Sequence, residues 1–109
     1  MGREVRKGQN EVWFRELNEK LEQRALTKVA VDELFEIVCE CDREECTDRI
    51  GISVSEYEAV RVSATHFITA PGHYDPQVET LVDSSTEQYN VVSKIGEAAL
   101  VAEDENPRG

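Results

Sequence analysis

The sequence predicts an α+β fold: a small, mainly antiparallel sheet with an amphipathic N-terminal helix and a middle helix, the whole stabilised by zinc. Three features point there. Apolar residues recur at helical spacing near the N-terminus, several short β-prone runs are separated by turn residues, and three cysteines crowd into one short segment. At 109 residues the chain is expected to form one domain, 1–109. Hydrophobic residues make up 39% and aromatics only 6%, so the core must rest on Val, Ile, Leu and Ala. A core of that size gains from an added cross-link, and a structural metal is one way to supply it.

Residues 1–9 read as a loose polar tail. Asn10 is a good N-cap, and Phe14, Leu17, Leu21 and Ala25 then gather on one helical face with Trp13 at its edge. Glu16, Glu19, Lys20, Glu22 and Gln23 fall on the opposite side. Leu34 to Cys39 alternates as a strand, with Phe35, Ile37 and Cys39 on one face, and Ile50-Gly51-Ile52 forms a second short strand. Ser53-Val54-Ser55-Glu56 is a capping box, so a helix begins at Val54 and ends near Ser63. Phe67 to Thr69 is extended, and Ala70-Pro71-Gly72 breaks it with a turn. Val78, Leu81 and Val82 mark a further apolar segment, Asp83 to Thr86 a hairpin connection, and Gln88 to Ile95 a β-prone run. Glu97 to Ala102 is helical, and 103–109 reads as a flexible acidic tail.

The formal net charge of −11 repels phosphate backbones and anionic lipid, so neither nucleic acid nor a membrane surface is an expected partner. No segment approaches the ~20 apolar residues of a membrane span. The charged N-terminus is followed by no apolar stretch of the secretory kind, which gives a cytoplasmic expectation. Met1-Gly2 does not continue into a myristoylation signal, because Arg6 stands where Ser or Thr is needed.

The chemistry concentrates in Cys39-Glu40-Cys41-Asp42-Arg43-Glu44-Glu45-Cys46, a C-x-C-x4-C segment. An odd number of clustered cysteines suits a disulfide scaffold poorly, and a Cys39–Cys41 bridge would be strained. Thiolates are soft donors suited to zinc, which takes four ligands in structural sites. The fourth ligand must come from His66 or His73. His66 lies within an extended run, whereas His73 follows Pro71-Gly72, where backbone freedom lets the ring approach an ion, so His73 is preferred. Three thiolates on zinc leave one negative charge, to be offset by Arg43, Arg49 or amides of the 44–47 turn. Asp75, two residues after His73, is placed to orient its ring. Partly buried thiols without a ligand, a labile Cys41–Cys46 disulfide and a Cys3His iron–sulfur cluster stay open as other readings. The acidic surround does not suit a nucleophilic cysteine.

The C-x-C-x4-C spacing resembles the post-SET zinc motif of lysine methyltransferases. The chain is too short for a SET domain and carries no cofactor-binding motif, so that activity is not implied. A wider resemblance is to a group of short actinobacterial proteins without assigned activity. It rests on Phe14-Arg15-Glu16-Leu17-Asn18-Glu19, the C-E-C-x4-C stretch, Ser53 to Glu58, the Ala70-Pro71-Gly72-His73 turn and Val91 to Ala98. It implies a shared fold and the same four ligands, Cys39, Cys41, Cys46 and His73.

No G-x-S-x-G, P-loop, G-x-G-x-x-G or H-E-x-x-H motif is present, which argues against an enzyme. The expected function is a small zinc-binding protein acting as a binding or regulatory module for a protein partner, with homodimerisation through the N-terminal helix as one option. The alternative is a redox or metal sensor working through Cys39, Cys41 and Cys46.

Overall fold

A computed structural model of the chain describes residues 3–30, 32–41, 46, 48–73, 75–76, 79–83, 88–106 and 108, with side chains from 12 onward except 97. Among these, three helices and five strands follow in the order α1 (Arg3–Ala25), β1 (Leu34–Val38), β2 (Arg49–Ser53), α2 (Val54–Arg61), β3 (His66–Thr69), β4 (Glu79–Asp83), β5 (Asn90–Lys94) and α3 (Gly96–Asp104). The architecture is α+β with two antiparallel sheets, a β1–β2 pair and a three-stranded sheet ordered β3-β5-β4. Ile37 pairs with Ile50 across the first sheet, and Phe67 with Val92 in the second.

The β-elements and the middle helix form where local pattern asks for them. The Ser53 side chain accepts from the Glu56 amide and Glu56 returns the contact to the Ser53 amide, so the capping box starts α2 as the sequence predicts. The helix closes at Arg61, a little before Ser63. Ile37, Ile50, Ile52, Tyr57 and Ile68 build a core between the first sheet, α2 and β3. A smaller cluster of Val12, Phe67, Val92 and Ala102 joins α1, α3 and the second sheet. Val78 and Ser84 to Thr86 lie outside the described residues.

The N-terminal helix departs from expectation. It extends back to Arg3, so Asn10 lies inside it and does not cap it. Its most buried residues include Arg15, Asn18 and Glu22 at helical spacing, whereas Leu17 and Leu21 are half-buried and Trp13 is 61% exposed. The inward face is therefore partly polar, and Arg15, Asn18 and Glu22 each make at least one hydrogen bond. Arg15 donates to the carbonyls of Ala64 (2.6 Å) and Ala102 (2.8 Å). Its guanidinium stands 4.7 Å from the centre of the Phe67 ring. Arg61 and Lys94 approach the same ring, so three cations surround one buried phenyl group. Burial alone would lower the pKa of Arg61; the charge of Glu40 more than offsets this and holds it raised. Glu79 and Lys94 form a second buried ion pair and face each other in register across β4 and β5.

Where a free acidic tail was expected from 103, α3 continues to Asp104 and Arg108 reaches back to α1 and α2. Its guanidinium binds Glu58 (2.6 Å), Glu19 (3.2 Å) and Glu22 (3.3 Å). Glu22 is buried, with Oε2 lacking a hydrogen-bond partner. Burial first, and then a hydrogen bond to Glu58, push its pKa up to about 8. The native state thus holds a proton that the unfolded chain releases near pH 4.5. Glu22 therefore stabilises the fold at low pH, and that contribution is lost as pH rises from about 4.5 to about 8. Glu22→Gln is expected to remove up to about 1 kcal/mol per pH unit of this slope. Denaturant melts of both proteins between pH 5 and 8 check it, and parallel pH profiles would refute the assignment.

Candidate metal centre

The chain leaves the first sheet at Val38 and returns to it at Arg49. The Cys39 amide donates to the Asp48 carbonyl (3.0 Å), which closes the intervening loop. Cys39 and Cys41 face the core and are 1% and 0% exposed, while Cys46, on the return limb, is half-buried. None of the three forms a disulfide. The fourth residue arrives from β3. Its end at Thr69 leads into a turn at Pro71-Gly72, closed by the His73 amide on the Ala70 carbonyl (3.1 Å). Gly72 takes φ +85°, a left-handed conformation that a side chain would strain, so this turn needs glycine.

Cys39, Cys41, Cys46 and His73 converge, with their ligand atoms all within 4.8 Å of one another. His73 Nδ1 lies 3.4 Å from Cys39 Sγ and 3.5 Å from Cys46 Sγ. With zinc–sulfur bonds of ~2.3 Å and zinc–nitrogen bonds of ~2.0 Å, a tetrahedron has a sulfur–nitrogen edge of about 3.5 Å. The donor set and its spacing are compatible with a metal site.

The surroundings fit a cluster of thiolates. The Ala70 amide donates to Cys39 Sγ (3.1 Å), and the Asp48 amide donates to the Cys46 sulfur. Such N–H···S contacts spread negative charge from the sulfurs into the backbone. A hydrogen bond with Cys41, and then burial, push the Cys39 thiol above its usual range, and burial does the same to Cys46. These thiols resist ionisation unless a cation sits among them, and a bound metal supplies that charge.

The other face of the His73 ring is also engaged. Nε2 lies 3.2 Å from the Asp48 carboxylate. A tautomer protonated on Nε2 would leave Nδ1 free to meet an ion and aim its N–H at Asp48. A carboxylate in that place fixes tautomer and orientation for metal binding. Asp48→Ala is expected to weaken metal affinity about 10-fold. A competition titration against a chromophoric chelator measures it, and unchanged affinity would remove Asp48 from the site.

The structure thus brings together all four expected ligands. His66 is not among them. It opens β3 opposite Ser93, and burial lowers its pKa, with the charge of Arg61 adding to the effect. Arg43 lies outside the described residues. Arg49 opens β2 on the surface, opposite Val38. The Asp75 amide donates to the Glu79 carboxylate (2.8 Å), and the carboxylate that meets His73 is Asp48. Nothing in the sequence marked Asp48, because its contact depends on the loop doubling back. In comparisons with known proteins, the chain matches no family model, no curated protein and no solved structure.

Proposed function

We propose that the protein binds one zinc ion through Cys39, Cys41, Cys46 and His73, and that the ion is structural. The convergence of three sulfurs and one imidazole nitrogen carries this reading. Four protein ligands fill a tetrahedral shell and leave no position for a reacting water, so the ion would tie β1, β2 and the turn after β3 together without chemistry of its own. On this reading the protein is a binding or regulatory module in a reducing, intracellular compartment, with its fold and ligands shared with the actinobacterial group it resembles. Exposed Trp13 on α1 and Leu100 on α3, two helices that pack together, offer apolar surface to a protein partner or a second copy. The partial exposure of Cys46, against the full burial of Cys41, favours a second reading as a redox or metal sensor in which that sulfur is the first to be oxidised.

Cobalt(II) titration tests the site. The expected result is one ion per chain, with intense tetrahedral ligand-field bands and thiolate charge transfer. Both change in Cys46→Ser and His73→Ala. Weak bands of octahedral character, or no binding, would overturn the proposal.

A further inference from the structure

We propose that Glu40, the residue between the two cysteines of Cys39-Glu40-Cys41, is the positioning residue that sets the metal ligands; this rests on the metal-binding reading above. Glu40 is 0% exposed, so its carboxylate is wholly withdrawn from water. Placing a charge there is costly unless every contact is made, and here the contacts to Ile68 and Asn18 lead to the ligands. Its Oε1 accepts from the Ile68 amide (2.9 Å), while its own amide donates to the Ile68 carbonyl (2.8 Å). The side chain thus stands in for a strand neighbour and fixes β3 against the Cys39–Cys41 segment. That register puts the Ala70 amide on Cys39 Sγ and starts the turn that carries His73.

The second oxygen faces α1 and α2. Oε2 accepts from Asn18 Nδ2 (2.7 Å) and from Arg61 Nη2. Asn18 also grips Val38 at both its amide and its carbonyl (2.8 Å each). The residues on either side of Cys39 are therefore held by one asparagine, and Arg61 is held in turn by the His66 carbonyl (3.1 Å). Glu40 joins the backbone bearing Cys39 and Cys41 to the turn bearing His73. An apolar side chain would fill the space with less desolvation but fix neither register nor direction.

The test measures cobalt(II) affinity by chelator competition, together with the cobalt(II) spectrum, in wild type, Glu40→Gln, Asn18→Ala and Ser53→Ala. Glutamine keeps the shape but presents an amide donor or a neutral oxygen to donors that need a carboxylate. Affinity should fall 10- to 100-fold in Glu40→Gln, with altered ligand-field bands, and by a smaller factor in Asn18→Ala. Ser53→Ala loses the α2 cap and some stability, yet should keep wild-type affinity and spectrum, which separates positioning from general destabilisation. If Glu40→Gln does not fold, Asn18→Ala decides. Wild-type affinity and spectrum in a folded Glu40→Gln, or in Asn18→Ala should that stand in for it, would overturn the role of Glu40. Equal losses in Ser53→Ala would overturn it too. Failure of wild type to bind cobalt would instead overturn the metal reading and this proposal with it.

Discussion

On the zinc reading proposed above, chelation should lower the melting temperature by about 15 °C. A ligand present at ~1,000 times its dissociation constant contributes about 4 kcal/mol to the native state, and in a domain of this size about 1 kcal/mol moves the midpoint by ~4 °C. The loss should be this large because Cys39 and Cys41 belong to the main core cluster, beside Ile37, Ile50 and Ile68. Without a cation their sulfurs remain buried groups among apolar neighbours. Cys41→Ser should bind the metal at least ~100-fold more weakly, since serine offers a hard, neutral donor in place of a thiolate. Its melting temperature should then respond little to chelator. Circular dichroism melts with and without chelator provide the comparison. A wild-type midpoint that ignores chelation would show that the fold does not depend on the ion.

Lys94→Met should destabilise the protein by about 3–5 kcal/mol, because it strips the ammonium from a carboxylate that stays buried. Glu79 is 1% exposed and Lys94 pairs with it directly across the strands. Glu79 also accepts from the Asp75 amide (2.8 Å), so the informative partner variant is Glu79→Gln, which keeps an acceptor and removes the charge. The double variant, Glu79→Gln with Lys94→Met, should recover most of the loss, to within about 1 kcal/mol of wild type. Urea unfolding of the four proteins closes the cycle. A mild single variant, or a double variant whose losses simply add, would show that the pair is not coupled.

The parts of the fold that local rules govern were legible. The capping box at Ser53, the alternation from Leu34 to Cys39 and the break at Pro71-Gly72 each depend on neighbours in sequence. His73 was legible because a turn with a glycine can aim a ring. What escaped was the polar interior. Pattern reading places charged residues outside, so it puts Glu22 on the solvent face of α1 and the apolar stripe of Phe14, Leu17 and Leu21 in the core. Arg15 is buried because carbonyls of Ala64 and Ala102 await it, and Asn18 because Val38 and Glu40 do. Such partners come from remote parts of the chain, and only the tertiary arrangement reveals them. Asp48 and Glu40 were missed for the same reason. The C-terminal stretch read as solvated because of its acidic run, yet Arg108 returns to three glutamates of α1 and α2.

Elemental analysis of the purified, tag-free chain by mass spectrometry tests the central claim most directly. About one zinc per chain is the predicted result, consistent with a closed Cys39, Cys41, Cys46 and His73 shell. Folded protein that carries no metal without ever having met a chelator, or that carries iron in place of zinc, would contradict it.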